Sequence, residues 1–274
     1  MKLQHIISTM YRDEFDFLET MNITQDVLVV NQADRENQET FEKNGKSVCV
    51  VTTNERGLSN SRNTLLAHAK GDIVILGDDD LYYLGRYDKI IEDAYHQYPD
   101  ADIIAFSFTQ EMGKDTRRQF SKPKKLNILG IGKIASVEIT FKLESIKEKG
   151  LQFDSLLGLG AKFGSGEENA FLADALKAGL VIRYIPATIC YLKPDPEDRM
   201  KWKDGFNRDY FIKKGACFYR IYGKLFFPFM LAFVILKKRS IFKDVPVGKA
   251  IKWMREGKRA YKNAHTLQQQ GEGK

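Results

Sequence analysis

The sequence has few cysteines, and their spacing excludes several classes of protein. Its 274 residues include only Cys49, Cys190 and Cys217, an odd number of thiols that lie far apart in the chain. There is no CxxC pair and no cluster of cysteine with histidine, so neither a disulfide scaffold nor a zinc site is expected. Reduced thiols are typical of the cytosol, and we expect the active domain to lie there.

Long apolar segments and several common catalytic motifs are also missing. Residues 1–15 contain one lysine and no sustained apolar run, so a secretory signal is not expected. The apolar run 225–236 has twelve residues, whereas a membrane-spanning helix needs about 20. No GxSxG, P-loop or GxGxxG pattern occurs, so the sequence gives no support for a serine hydrolase, a P-loop NTPase or a dinucleotide-binding enzyme.

The net charge of +7 hides a strong asymmetry along the chain. Residues 201–274 contain 18 lysines and arginines against 5 acidic residues, while residues 1–200 contain 25 against 31. We therefore predict an acidic catalytic domain, residues 1–199, followed by a basic helical region, residues 200–274. The basic region favours an anionic partner, either lipid or nucleic acid.

Strand-like and helix-like segments alternate through the first 110 residues. Predicted strands are 3–9, 26–31, 47–52, 72–76 and 101–108, and predicted helices are 13–21, 57–71 with Ser59 as N-cap, and 86–98. A further strand is predicted within 133–141 and another at 180–186. This order predicts an α/β fold, a doubly wound and mainly parallel sheet followed by the basic, partly apolar helical region.

Three consecutive carboxylates follow the predicted strand 72–76. Asp78, Asp79 and Asp80 would repel one another by about 3 kcal/mol per pair at a separation of about 5 Å and an effective dielectric near 20. A solvated acidic turn is one explanation. The other is a divalent cation, since ligands sit beyond the carboxyl ends of parallel strands and all-oxygen ligands favour Mg²⁺ or Mn²⁺.

A second acidic pair, Glu167 and Glu168, opens the helix predicted after a glycine-rich stretch. Two glutamates at this place are also explained by favourable interaction with the helix dipole. The glycines at 158, 160, 164 and 166 favour a loop that approaches a bound ligand closely. We expect the helix N-terminus to keep the carboxylate ionised, as a general base requires.

Residues 3–190 resemble the family 2 glycosyltransferases, which are inverting enzymes of the GT-A fold with nucleotide-sugar donors. The resemblance rests on five motifs in the order of the family: ISTMYR (7–12), VVNQAD (29–34), GLSNSRN (57–63), ILGDDDLYY (75–83) and GSGEENAFL (164–172).

The resemblance implies roles for individual residues. It implies that Asp80 binds a Mn²⁺ or Mg²⁺ ion that bridges to the donor diphosphate, with Asp78 beside the ribose and close to the metal. It also implies that Glu168, rather than Glu167, is the catalytic base. The further donor-binding residues implied are Thr9, Asp34, Arg62 and Asp79.

The chain departs from the family at two places. Many members carry an acidic residue directly after the second strand, where this chain has Asn31 and Gln32. Many also supply a histidine after the last strand, where this chain reads ATICYLKPD. The residue that contacts the base and the second protein ligand of the metal are therefore left open.

The C-terminal region has the composition of a membrane-associating segment. Residues 225–236 favour an interfacial or re-entrant segment, and residues 247–264 combine basic with apolar residues as a basic helix lying on anionic lipid does. An amphipathic helix packed on the catalytic domain is the alternative. Nucleic acid is not expected as a partner, since no recognition motif accompanies the charge.

Together these patterns predict a metal-dependent inverting glycosyltransferase, peripheral on the inner face of the plasma membrane. Its donor would be a nucleotide diphosphate sugar, with UDP favoured, and its acceptor a saccharide or lipid-linked saccharide in capsule or exopolysaccharide assembly. The alternatives are a nucleotidyltransferase of similar sheet topology and a non-catalytic, membrane-bound scaffold. The sugar, the linkage, insertion of residues 217–236 into the bilayer and the oligomeric state are not determined by the sequence.

Overall fold

The computed structural model describes residues 1–109, 120–193, 206–241 and 245–271. Its strands are β1 (Leu3–Met10), β2 (Asp26–Gln32), β3 (Asn37–Lys43), β4 (Lys46–Thr53), β5 (Ile73–Asp78), β6 (Leu81–Tyr83), β7 (Ile103–Thr109), β8 (Lys124–Lys125), β9 (Ile139–Lys142) and β10 (Ile182–Leu192). Its α-helices are α1 (Leu58–His68), α2 (Tyr87–Gln97), α3 (Leu143–Glu148), α4 (Glu167–Lys177), α5 (Arg208–Tyr222), α6 (Phe226–Ile241) and α7 (Val247–Gly271).

The strands form one mixed sheet in the order β3-β4-β2-β1-β5-β9-β7-β10-β6, with β8 paired to β10. The pairs β4–β2, β2–β1, β1–β5 and β7–β10 are parallel. Strand β9 is antiparallel to both of its neighbours, β5 and β7. The predicted α/β fold with a mainly parallel sheet is therefore confirmed.

The central strands are apolar because both faces of the sheet are covered. On one face Val74 and Leu76 of β5 share a buried cluster with Leu65 of α1 and Phe171 of α4. On the other face Ile75 of β5 belongs to a cluster that includes α2. Burial on both faces explains the continuous apolar run in place of an alternating pattern.

Several sequence predictions need correction. Helix α1 is capped by Gly57, with φ of 102°, while Ser59 is buried and donates a hydrogen bond to Leu157 O at 2.7 Å. The helix predicted at 13–21 is a short 3₁₀ helix, Asp16–Met21. The strand predicted within 133–141 is present but begins only at Ile139, after the 3₁₀ turn Ser136–Glu138, and strand β3 was not predicted at all.

The C-terminal helices α5 and α7 pack against each other and against the preceding chain. Cys217 and Ile221 of α5 and Tyr261 of α7 belong to the same buried cluster as β5 and α4. Arg220 donates to Asp154 at 2.5 Å and to Asp174, and Tyr261 also donates to Asp154. The predicted boundary at 199/200 lies outside the described residues, and the division into two domains stays a prediction.

The apolar face of α7 is not available to lipid. Ala250, Met254, Tyr261 and Ala264 are buried, and backbone atoms of α5 and α7 meet at Gly215 and Gly257. The prediction of a helix that lies in the membrane plane on this face is therefore wrong, and the alternative of a helix packed on the protein is correct for α7. Its basic residues Lys249, Lys252 and Arg255 remain exposed.

Within the described residues, one helical segment is long and apolar enough to cross a membrane by length and composition. It is Arg208–Lys237, with a mean hydropathy of 1.5 in its most apolar window. Only 22% of that window is buried inside the protein. The exposed apolar part is α6.

Candidate active site

The candidate site lies where three parallel strands end. Thr9 of β1 is paired in register with Asn31 of β2, and Ser8 of β1 with Asp78 of β5. The carboxyl ends of β1, β2 and β5 thus form one edge of the sheet, where ligands of open α/β sheets bind. The acidic triplet continues from this edge, with Asp78 as the last residue of β5 and Asp80 directly before β6.

The three carboxylates have different partners. Asp78 pairs with Arg62 at 3.3 Å, and Asp79 accepts hydrogen bonds from Thr9 at 2.6 Å and Arg12 at 3.0 Å. Arg62 and Arg12 therefore offset part of the repulsion among the three carboxylates. The sequence had suggested a divalent cation for this role. In Asp80, by contrast, atom Oδ1 is buried without a hydrogen-bond partner. An orphaned carboxylate oxygen is what a missing cation would leave.

The electrostatics also distinguish Asp80. Burial, and then the charges of Asp78 and Asp79, raise its pKa to about 6. Burial raises the pKa of Asp78 too, while Arg62 works against that rise. Both shifts show carboxylates whose burial outweighs the positive charge around them, and a bound divalent cation would act in the opposite direction.

Oxygen ligands fit Mn²⁺ or Mg²⁺, but the protein supplies few of them. Among the residues that the structure describes, no group of three or more His, Cys, Asp or Glu side chains is arranged to hold a metal ion. Asp80 and Asp78 therefore fit a cation that takes most of its ligands from a bound molecule or from water. The residues fit the ion without forming a closed protein cage.

Arg62 joins the acidic triplet to helix α4. Its side chain is fully buried, donates to Glu167 Oε1 at 2.8 Å and to Asp78 Oδ1 at 3.3 Å, and its guanidinium lies 5.6 Å from the ring centroid of Phe153. This arrangement holds the start of α4 against the end of β5. Arg62 is thus tied to protein carboxylates, and its direct contact with a donor stays a prediction.

The glycine-rich stretch brings the loop before α4 close to protein atoms. A Cβ on Gly158 would lie 3.1 Å from Ser59 Oγ and 3.3 Å from Glu167 Cδ. Gly166, the N-cap of α4, has φ of 89° and is in contact with Cys217. At Gly158 and Gly166 the absence of a side chain thus makes room for protein atoms of α1, α4 and α5, and a close approach of this loop to a sugar stays a prediction.

The two glutamates at the start of α4 have separate environments. Glu167 is buried and paired with Arg62. Burial, and then the charge of Glu167, raise the pKa of Glu168 to about 8, although Arg62 and Lys214 lower it. The expectation that the helix N-terminus keeps Glu168 ionised is therefore wrong for the ligand-free protein. A base with a pKa near the working pH still suits proton transfer.

A shallow cleft of about 200 Å³ lies just beyond the ends of β1 and β2. It is lined by Tyr11, Asp13, Ala33, Asp34 and Arg35. Asp34 lines this cleft and is paired with Arg56, whereas Thr9 donates a hydrogen bond to Asp79. The nucleoside-binding roles of Asp34 and Thr9 stay predictions.

Tyr11, Arg12 and Lys193 were missed in the sequence. Tyr11 is a 60% exposed aromatic residue with φ of 51°, next to the guanidinium of Arg56. The backbone N–H of Lys193 donates to Asp80 O at 2.8 Å, and the Lys193 Nζ donates to Thr20. The position of Tyr11 and Arg12 directly after an apolar strand was a usable signal, but Lys193 is distant from the triplet in sequence.

Residues 24–153 match the family model described as Glycosyl transferase family 2. The similarity to this family is thus shown for just under half of the chain. The match includes the acidic triplet and ends before Glu167. No curated protein matches the sequence.

Solved structures extend the fold comparison for this glycosyltransferase to most of the chain. Staphylococcus aureus TarS, residues 1–349, in complex with UDP-GlcNAc has a TM-score of 0.66 and 14% identity, covering 93% of this chain and 79% of that one. The UDP complex of TarS has a TM-score of 0.60 and 14% identity, covering 92% and 78%. At this identity the likeness concerns the fold, which is GT-A.

Proposed function

We propose that this glycosyltransferase transfers a sugar, with inversion, from a nucleotide diphosphate donor to a saccharide or lipid-linked saccharide acceptor, and that it depends on Mn²⁺ or Mg²⁺. The observation that carries the proposal is the buried, unpartnered oxygen of Asp80 at the edge of the sheet, joined through Asp78 and Arg62 to the start of α4. The match of residues 24–153 to the glycosyltransferase family 2 model supports the reaction class and argues against a nucleotidyltransferase.

The donor is proposed to be a UDP-sugar, bound across the ends of β1, β2 and β5. The cleft with Tyr11 and Asp34 has the chemistry for a nucleoside, since it combines an exposed aromatic ring with a carboxylate. The fold likeness to TarS, whose structures contain UDP-GlcNAc and UDP, supports UDP over other nucleotides. Arg12 and Lys193 lie near Asp79 and Asp80, where a diphosphate would need positive charge.

Asp80 and Asp78 would hold the divalent cation. When bound, such an ion offsets the negative charge that develops on a departing diphosphate. The protein side chains position the donor so that its sugar faces the start of α4. Arg62 fixes the distance between Asp78 and the start of α4, because it is fully buried and paired with both Asp78 and Glu167.

Glu168 is proposed as the base that removes the proton from the acceptor hydroxyl. Its neighbour Glu167 is occupied by Arg62, which leaves Glu168 as the carboxyl of the pair for substrate chemistry. Lys214, and Arg62 through space, favour its ionised form. The bound sugar would lie between this carboxylate and the diphosphate, as inversion requires.

The test is a transfer and donor-hydrolysis assay with and without Mn²⁺. Asp80→Asn should lower metal-dependent turnover about 100-fold or more, because charge stabilisation of the leaving group is lost. The matched control is Asp93→Asn, which changes an exposed aspartate in α2 and should leave turnover within about twofold. Full turnover of the Asp80 variant would remove the metal proposal, and absence of any nucleotide diphosphate release would favour a non-catalytic scaffold.

The enzyme is further proposed to act at the inner face of the plasma membrane, on acceptors for capsule or exopolysaccharide. The basic C-terminal region and the exposed apolar residues of α6 support attachment to an anionic membrane surface. No feature of the described site suggests nucleic acid as a partner.

A further inference from the structure

From Phe226 to Leu236, the exposed side chains of helix α6 are apolar. Phe226 and Met230 on its inner face are buried in a cluster with α5 and α7, and Val234 is buried as well. The large residues of this outer face are Phe227 at 44%, Leu231 at 47%, Ile235 at 70% and Leu236 at 82% exposed, and Leu225, directly before the helix, is 58% exposed. A surface helix of a soluble protein normally has polar residues there, so this face is built to be covered.

Positive charge borders this face. The ammonium of Lys258 in α7 lies 4.7 Å from the ring centroid of Phe227 and 5.1 Å from that of Phe226. Arg255 and Lys262 lie one turn away from Lys258 on α7 and are exposed. Lys224 and Lys237 mark the two ends of the apolar run and are exposed as well. The apolar face and its basic border therefore belong to one surface.

The geometry excludes a full membrane span by α6 alone. Its 16 residues make a helix of about 24 Å, shorter than the hydrocarbon core of about 30 Å. The preceding helix α5 cannot extend the span, because Phe211 and Cys217 are buried and Arg220 pairs with Asp154 and Asp174. Only one side of α6 is free for lipid, which fits a helix lying in the plane of one leaflet.

A second copy of the chain fits this surface less well than lipid does. Symmetric pairing of the outer faces would bring the basic borders of both copies together, and like charges across an interface are unfavourable. Anionic lipid offers an apolar layer for Leu231 and Ile235 and phosphate groups for Arg255, Lys258 and Lys262. Charge complementarity therefore favours an anionic membrane over a second copy of the chain as the partner of this surface.

We propose that the outer face of α6 inserts into one leaflet of an anionic membrane, with Arg255, Lys258 and Lys262 of α7 at the level of the lipid phosphates. The proposal rests on the membrane location proposed above and assigns it to a single helix face. It replaces the in-plane role that the sequence suggested for α7, whose apolar side is buried.

The test is co-sedimentation of the full chain with phosphatidylcholine vesicles, with and without phosphatidylglycerol. Wild type should bind the anionic vesicles, and the double variant Leu231→Glu with Ile235→Glu should lose at least about tenfold in partition. The matched control is Leu129→Glu with Leu267→Glu, which places the same charges on two exposed leucines outside α6. This control should bind as wild type does.

A second variant tests the basic border. Arg255→Ser with Lys262→Ser should weaken binding to anionic vesicles by about fivefold per residue, and should leave the weak binding to neutral vesicles unchanged. Equal binding of wild type and the Leu231/Ile235 variant would overturn the proposal. So would a wild-type dimer in solution that this variant converts to a monomer while no vesicle binding is found.

UDP binding separates this proposal from the catalytic one. Titration of UDP with Mn²⁺ should give the same affinity for wild type and the Leu231/Ile235 variant, which also shows that the variant is folded. Vesicle binding by a protein that fails to bind UDP would contradict the proposed donor and leave the role of α6 intact.

Discussion

At the scale of single residues, the carboxylates could be recognised from sequence but their partners could not. The triplet follows an apolar strand, and Glu167 and Glu168 open a helix with a clear apolar face. Arg62 and Arg12, which pair with Asp78 and Asp79, lie 16 and 67 residues away from them. Local patterns cannot reveal such pairs, because tertiary structure alone brings them together.

The protonation state of Glu168 also could not be predicted from the local sequence. The helix N-terminus favours the ionised form, and this was the basis of the sequence expectation. Burial and the adjacent Glu167 outweigh it and raise the pKa of Glu168 from 4.5 to about 8. The folded protein therefore binds a proton here between these two pH values, whereas the unfolded chain does not.

This difference predicts a pH-dependent stability that Glu168→Gln removes. The contribution of Glu168 is fully present below pH 4.5 and is lost as the pH rises through about 8, because the folded state holds the proton more tightly. In urea unfolding at pH 5 and pH 8, the loss of stability on going to pH 8 should be smaller in the variant than in wild type.

Glu144→Gln is the matched control for this measurement. Glu144 is an exposed glutamate in the first turn of α3, so it shares the helix position but lacks the burial. It should keep the pH dependence of wild type. A Glu168 variant with the same pH dependence as wild type would show that this carboxyl is not buried in its protonated form.

At the scale of elements, strands with strong apolar runs were predicted well and polar ones were missed. Strand β3 reads NQETFEK and is mostly exposed, so its composition gives no strand signal. Its turn did give one: Asn44 and Gly45 both have positive φ, at 53° and 71°, as a two-residue hairpin turn requires. An Asn-Gly pair before the apolar strand 47–52 was a usable signal.

The crossing of α5 and α7 predicts a strict requirement for glycine at position 257. A Cβ there would overlap the carbonyl of Ile212 in α5, which is backbone and cannot move aside as a side chain does. Gly257→Ala should therefore lower the free energy of unfolding by about 2 kcal/mol, within the range found for overpacked interiors. Urea unfolding at constant pH measures this change.

The same helix contains a control for the substitution. Gly248 lies in the first turn of α7 with no atom near the site of a Cβ. Gly248→Ala should be neutral or stabilise the protein by up to about 1 kcal/mol through helix propensity. Equal effects at the two positions would contradict the close packing of α5 on α7.

At the scale of the whole molecule, the charge asymmetry and the structural unit do not coincide. The sequence suggested a basic region separate from an acidic catalytic domain, since the net charge changes sign near residue 200. In the structure α5 and α7 complete the apolar cluster of the catalytic sheet, and Arg220 is paired with both Asp154 and Asp174. Composition reports on the outer surface, whereas packing is decided by the inner faces of these helices.

This packing predicts that the C-terminal helices and the catalytic sheet unfold together. Both tryptophans of the chain, Trp202 and Trp253, follow residue 200, so fluorescence reports on the C-terminal region, while far-ultraviolet circular dichroism reports on all helices and strands. In urea the two signals should change in one coincident transition, as a cooperative unit requires. Arg220→Leu removes the charge that joins α5 to Asp154 and Asp174 and should lower the shared midpoint, since these partly buried carboxylates then keep only Tyr261 and Lys177 as partners. The control Arg208→Leu breaks a more exposed pair with Glu256 and should shift the midpoint far less. A fluorescence transition at clearly lower urea than the dichroism transition would instead support two independent domains, with the C-terminal helices only resting on the catalytic sheet.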